Sequence, residues 1–159
     1  MTSVTIIHVG DFKEKFLQDA FSEYTKRISG MAKVEDILIK EEAVTDTADA
    51  LVEKALEKEG REILSRLDER SFKVALCVEG KMLSSEELAL LFSRCQNEGK
   101  SHVTFIIGSS HGLSDKVKRA CDLRLSFSKM TFPHQLMRVI LAEQIYRAMT
   151  ILAGKKYHK

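Results

Sequence analysis

Five short apolar runs, separated by segments of a different periodicity, constrain the fold of this chain more than any other feature. They cover residues 4–9, 34–39, 72–78, 103–107 and 123–127. Runs of this length are typical of buried strands, because a strand covered on both faces has no polar side. Strands that alternate with helices predict an α/β protein. We expect a mostly parallel sheet with helices on both faces and ligands at the carboxyl ends of the strands.

The segments between the runs carry helix signals. Helices are predicted for residues 12–28 and 50–67, from residue 84, from about residue 114, and from residue 133 to about 154. Ser84 and Glu87 have the spacing of a capping box, which predicts that the third helix begins there. Pro133 is expected to open the last helix, because the first helical position needs no N–H donor.

Two polar segments carry neither the apolar run of a buried strand nor the apolar spacing of a helix. Residues 40–49 predict a mobile loop, and the Glu-Gly-Lys sequence at residues 79–81 predicts a turn after the third strand. The chain has no internal repeat, low-complexity tract or linker. We therefore expect residues 1–159 to form a single domain.

The composition is that of an ordinary soluble globular protein, with 44% hydrophobic and 30% charged residues. No apolar run approaches the roughly 20 residues required to cross a bilayer. The first residues, Met-Thr-Ser-Val, lack the basic flank and apolar core of a signal peptide. We expect a cytoplasmic protein with no membrane partner.

Several familiar sites are disfavoured. The three cysteines are far apart without a C-x-x-C pair, so reduced thiols are expected, and the five histidines show no metal-ligand spacing. We expect no metal. The G-x-G-x-x-G fingerprint, the Walker P-loop and the G-x-S-x-G elbow are also absent from the sequence, which disfavours ordinary NAD or ATP sites and serine hydrolase chemistry.

Charge is unevenly distributed along the chain. Residues 35–69 contain 12 acidic residues against 5 Lys or Arg, whereas residues 126–159 contain 6 Lys or Arg against Glu143 alone. A basic C-terminal third would attract a polyanion such as nucleic acid. The alternative interpretation is that the lysines only keep the protein soluble.

Three loops are expected to meet at one edge of the sheet and to form a ligand site. They are the turn after residue 78, the glycine-containing loop at 108–112, and residues 127–132. The last helix, directly behind the third loop, presents His134, Arg138 and Glu143 as candidate polar groups.

Many ordered segments resemble one family. They are Gly-Lys-Met-Leu-Ser-Ser-Glu at 80–86, Phe-Ile-Ile-Gly at 105–108, Leu-Ser-Phe-Ser-Lys-Met-Thr-Phe-Pro-His at 125–134, Arg138, Glu-Gln-Ile-Tyr-Arg-Ala at 143–148 and Tyr-His-Lys at 157–159. In these segments the chain resembles the large-subunit ribosomal RNA methyltransferase H family of the SPOUT superfamily. The resemblance covers nearly the whole chain, is weakest at 40–70 and is most specific at 125–159.

The resemblance implies transfer of a methyl group from S-adenosylmethionine to N3 of a pseudouridine in 23S rRNA within the assembled ribosome. It also implies a SPOUT-type fold with a C-terminal trefoil knot, which periodicity alone would not suggest because knots are rare. A homodimer is implied too, in which each site is completed by the partner subunit.

The site residues follow from the same resemblance. The expected cofactor pocket consists of Leu76, Gly108, Phe127, Ser128, Lys129, Met130, Thr131 and Phe132. The expected catalytic residues are His134, Arg138, Tyr157 and His158. His134 lies in the first turn of a helix, where the helix dipole favours its neutral form. Arg138 is expected to contact the phosphate or the base.

Two functions of other classes remain open. A noncatalytic ribosome-binding factor could keep the fold and the basic face, and would bind ribosomes without methyl transfer. A nucleotide-sensing regulator would bind the cofactor without any dependence on ribosomes. Labelled cofactor incubated with ribosomes separates the first from an enzyme, and calorimetry with S-adenosylmethionine, ATP and NAD tests the second.

Overall fold

The computed structural model describes residues 1–45 and 48–159 as five strands and five helices in strict alternation. The strands are β1 (Ser3–Val9), β2 (Lys33–Ile39), β3 (Phe72–Met82), β4 (His102–Ile107) and β5 (Leu123–Ser126). The helices are α1 (Lys15–Ser29), α2 (Asp49–Ser65), α3 (Ser85–Asn97), α4 (Asp115–Arg119) and α5 (His134–Leu152).

The five strands form one parallel sheet in the order β2-β1-β4-β3-β5. Neighbouring strand residues such as Ile6 and Ile7 belong to different buried clusters, since successive side chains of a strand point to opposite faces. One cluster includes residues of α1, α3 and α5, and the other includes residues of α2 and α4. The prediction of an α/β protein with helices on both faces of a parallel sheet is confirmed.

The predicted turn at residues 79–81 is wrong, because β3 continues through these residues to Met82. Leu125 of β5 pairs with both Leu76 and Lys81 of β3. The register of the pairing therefore shifts between Leu76 and Lys81, and the residues between them interrupt the regular ladder. Long-range pairing with β5 therefore overrides the local turn signal of Glu-Gly-Lys.

Gly80 allows β3 to pass close to the backbone of β5. A Cβ atom at Gly80 would lie 2.7 Å from the backbone carbonyl of Arg124 in β5. Only a residue without a side chain allows the two backbones to approach so closely. The trefoil knot itself stays a prediction.

Local signals at the helix ends worked well. Ser84 and Glu87 form the predicted capping box at the start of α3, and Ser114 caps α4 through the N–H of Val117. Pro133 is the N-cap of α5, so the helix begins at His134, one residue after the predicted start. The predicted loop at 40–49 is in neither helix nor strand at residues 40–45 and 48; Asp46 and Thr47 lie outside the described residues, and mobility stays a prediction.

Across the part of the chain that the structure describes, no helix is long and apolar enough to cross a membrane.

Candidate functional site

A cavity of about 660 Å³ lies at the carboxyl ends of β3, β4 and β5. The three loops predicted to converge do so here and supply most of its wall. Its lining includes Leu76, Cys77, Val78, Glu79, Gly108, Ser109, Ser110, His111, Gly112, Lys118, Phe127, Ser128, Met130, Thr131, Phe132, Pro133, His134 and Met137. Of the predicted cofactor residues, all except Lys129 line the cavity, and Lys129 is exposed outside it.

The loop after β4 is folded tightly against itself. The Gly112 N–H donates to the carbonyl of Ser109 over 2.9 Å, and Gly112 has a φ of 85°. A Cβ atom on Gly108 would overlap the carbonyl oxygen of Gly112. Glycine at position 108 is therefore required for this turn, and the turn exposes backbone groups to the cavity.

The loop after β5 is held by its own serines. The Ser126 hydroxyl donates to the Ser128 carbonyl over 3.0 Å, and the Ser128 hydroxyl accepts from the N–H of Met130 at 3.0 Å. These bonds shape the loop and direct Phe127, Thr131 and Phe132 toward the cavity lining. The side chain of Met130 is 73% exposed, so the cavity mouth carries an unpartnered apolar group.

The cysteines carry no reactive thiolate. All three are unpaired, as expected, and burial raises the pKa of the Cys77 and Cys95 thiols and that of Cys121 to about 11. Cys77 lines the cavity, where its protonated thiol is a small apolar wall group. Among the described residues, no group of three or more His, Cys, Asp or Glu side chains is arranged to hold a metal ion.

His134 is the predicted catalytic residue that lines the cavity. Burial lowers the pKa of its imidazole, and the positive charge of Arg138, one turn further along α5, lowers it as well. The ring is therefore neutral near pH 7 and has a nitrogen free to accept a proton.

Arg138 is fully buried behind the cavity instead of lining it. Its Nη2 donates to the carbonyl of Val9 at the end of β1 over 2.5 Å, and its guanidinium lies 5.1 Å from the ring centroid of Phe12. Nε and Nη1 have no hydrogen-bond partner among the described residues. Burial lowers the pKa of this guanidinium to about 10.

Tyr157 and His158 form a second polar cluster, which does not line the cavity of their own chain. Tyr157 donates to Glu143 Oε1 over 3.2 Å, and Arg147 bonds to the same oxygen. Arg147 Nη1 also lies 3.2 Å from His158 Nδ1, and His158 Nε2 lies 2.6 Å from Glu86 Oε1. The C-terminal residues are thus docked on α5 and on the first turn of α3.

Sequence reasoning missed Arg147 and Glu86 as members of this cluster. The signal for Arg147 was available, because Glu143 and Arg147 are spaced i, i+4 on one helix face. No local pattern predicts the contact of Glu86 with His158, because the two residues are 72 positions apart in the chain.

Comparison with known proteins shows the family of this chain. The sequence model of the family described as predicted SPOUT methyltransferase matches residues 2–158. A Clostridium botulinum (strain Okra) protein named ribosomal RNA large subunit methyltransferase H is 47% identical over 158 residues, which is 99% of both chains. A Methanococcus maripaludis protein, provisionally given the same name, is 49% identical over the same share of both chains.

Solved structures with little sequence similarity share the fold. A probable methyltransferase from Bordetella pertussis Tohama I has a TM-score of 0.56 at 17% identity, covering 93% of this chain and 95% of its own. A tRNA (m1G37) methyltransferase from Aquifex aeolicus has a TM-score of 0.56 at 16% identity, covering 99% of this chain and 74% of its own. At such identities the likeness shows the fold alone.

Proposed function

Because this chain belongs to the SPOUT methyltransferase family, in the group of the ribosomal RNA large subunit methyltransferases H, we propose that it methylates N3 of a pseudouridine in 23S rRNA of the assembled ribosome, with S-adenosylmethionine as methyl donor. The observation that carries the proposal is the full-length match to this group. A ribosomal substrate would place the protein in the cytoplasm.

The cavity suits such a donor. A volume of about 660 Å³ lies within the roughly 300–1,000 Å³ typical of small-molecule sites. Apolar walls at Leu76, Phe127 and Phe132 fit an adenosine ring system, and the tight turns at Gly108 and Ser128 expose backbone donors and acceptors. When bound there, S-adenosylmethionine supplies a methyl group made electrophilic by its sulfonium sulfur.

The chain's own task is to orient the base and to move one proton. N3 of pseudouridine forms a bond to the methyl carbon as the carbon–sulfur bond breaks, and the N3 proton passes to a base of the protein. His134 lines the cavity, and its lowered pKa supplies the neutral imidazole that such a step requires. Exclusion of water and alignment of the two reacting atoms account for most of the expected rate.

A catalytic role for Tyr157 and His158 requires a second copy of the chain. Both lie outside the cavity of their own chain, held by Glu143 and Glu86. We propose a homodimer in which each C-terminal cluster faces the partner's cavity. Arg138 is proposed to act from behind His134, where its charge favours the neutral imidazole.

The test is methyl transfer from labelled S-adenosylmethionine to intact large ribosomal subunits, assembled ribosomes and protein-free 23S rRNA. We expect incorporation into assembled ribosomes and a single N3-methylated pseudouridine by mass spectrometry of the rRNA digest. Mixed dimers of a His134→Ala chain and a Tyr157→Phe chain would recover one working site if the partner completes it. Ribosome binding without methyl transfer would instead support a noncatalytic factor.

A further inference from the structure

The cavity carries a single ion pair in an otherwise uncharged lining. Among its described lining residues, only Glu79 and Lys118 are Asp, Glu, Lys or Arg. Lys118 Nζ lies 2.5 Å from Glu79 Oε1. The Lys118 side chain is only 15% exposed, whereas that of Glu79 is 54% exposed. A largely buried lysine side chain therefore meets a carboxylate that is open to the cavity mouth.

Two separate elements bring this pair together. Glu79 lies in the part of β3 where its register with β5 shifts, and Lys118 lies on α4. The fully buried Val117 packs α4 against the sheet and places the backbone of the neighbouring Lys118 beside the cavity. The hydrogen bond from Lys118 holds the pKa of Glu79 below its usual range, so the carboxylate is charged at neutral pH.

Stability does not explain this pair. An ion pair with one half-exposed partner contributes little to folding, and here it places two charges in the wall of a largely apolar cavity. Charged groups in such a wall are typical of ligand orientation.

We propose that Lys118 and Glu79 bind the α-amino acid end of the methyl donor, an assignment that rests on the proposed function. The donor carries a carboxylate and an ammonium on one carbon atom. Lys118 pairs with that carboxylate and Glu79 with that ammonium, so the four charges alternate in sign. The two side chains satisfy each other before binding, and the ligand inserts into a pair whose charges are already in position.

This assignment separates the two ends of the donor. Adenosine occupies the apolar walls near Leu76, Gly108 and Phe132, and the amino acid end lies toward α4. Removing either charge should therefore weaken the binding only of those ligands that carry its partner group, the carboxylate for Lys118 and the ammonium for Glu79.

The experiment is calorimetry on the full-length protein with two ligands. S-adenosylhomocysteine carries the amino acid end, and 5′-methylthioadenosine lacks it. We expect Lys118→Met to lower the affinity for S-adenosylhomocysteine by about tenfold to a hundredfold, the loss typical of one charge-assisted hydrogen bond. The affinity for 5′-methylthioadenosine should not change. Binding of 5′-methylthioadenosine reports in every variant that the cavity is folded. Lys116→Met, on the same helix but outside the cavity lining, is the matched control.

A second variant tests the other charge. Glu79→Gln should lower the affinity for decarboxylated S-adenosylmethionine, because this ligand retains the ammonium group. Lys118→Met should leave that affinity unchanged. Equal affinity of wild type and Lys118→Met for S-adenosylhomocysteine, or an equal loss for both ligands of the first experiment, would overturn the role of the pair and leave the proposed function intact. Wild-type protein that binds none of these ligands would overturn the proposed donor and this assignment with it.

Discussion

Tyr157 donates its hydroxyl hydrogen to Glu143 Oε1, the same oxygen that Arg147 contacts, and thereby ties the end of the chain to the middle of α5. The ring of Tyr157 also lies 4.8 Å from the ring centroid of Tyr146 and 4.8 Å from the guanidinium carbon of Arg147. The terminal residues are thus held by one carboxylate and by ring contacts on both sides.

Glu143→Gln should release the C-terminal residues. The amide keeps the shape but loses the charge that Arg147 and Tyr157 share, and a charge-assisted hydrogen bond is worth about 1.5–3 kcal/mol. We expect faster hydrogen exchange at residues 155–159 and at least about tenfold slower methyl transfer, with donor affinity unchanged. Glu62→Gln, at an exposed position of α2, is the control. Unchanged exchange in the tail would contradict the role given to Glu143.

Tyr157 should titrate above the ordinary range of a tyrosine. Burial and the charge of Glu143 raise its pKa to about 12, above the ordinary value of about 10. The protonated hydroxyl therefore stabilises the folded state below pH 10, and this contribution is lost as the pH rises through 12. Ultraviolet titration should show a late tyrosinate step that is missing in Tyr157→Phe. A step at ordinary pH would show that the tail is not docked.

Substitutions at Arg138 test how much the buried guanidinium contributes to the stability of the fold. Arg138→Met fills the site without a buried charge, so we expect stability within about 1 kcal/mol of wild type, because burial of the charge is itself costly. Arg138→Ala leaves a cavity and should cost about 3 kcal/mol. Urea denaturation measures both. Strong destabilisation by methionine would mean that the guanidinium has partners beyond Val9 and Phe12.

The same methionine variant should shift the pH dependence of methyl transfer. Burial first, and the Arg138 charge second, lower the pKa of His134, so the neutral imidazole persists below the ordinary value of about 6.5. Removing that charge raises the pKa of His134, and the acid limb of the rate profile should move to higher pH. An acid limb that stays in place, with wild-type stability, would exclude His134 as the group that Arg138 tunes.

Gly80→Ala should destabilise the fold where β3 passes close to β5. The added methyl group would lie 2.7 Å from the backbone of Arg124, and overpacking of this kind costs about 1–3 kcal/mol. Gly30→Ala is the matched control, because its Cβ would meet only the carbonyl of Arg27 at 3.5 Å. Equal midpoints of the two variants in urea would contradict the close approach of the strands.

Local sequence signals predicted much of the molecule because they act over a few residues. The apolar runs marked all five strands, the Ser84–Glu87 spacing marked the start of α3, and strand–helix alternation implied a parallel sheet with its ligand loops at one edge. Family resemblance then named individual residues of these loops, and the described cavity lining includes all of them except Lys129.

Other features were decided only by tertiary structure. The turn signal at residues 79–81 was overridden because Lys81 pairs with Leu125, 44 positions away in the chain. Arg138 was expected to contact the phosphate or the base, yet the end of β1 and Phe12 enclose it. Glu79 and Lys118 meet across 39 positions.

Sequence alone determined the elements and their order, because periodicity and capping act over short distances along the chain. The burial, pairing and charge environment of individual groups depend on contacts between distant segments. These contacts exist only after the sheet has formed.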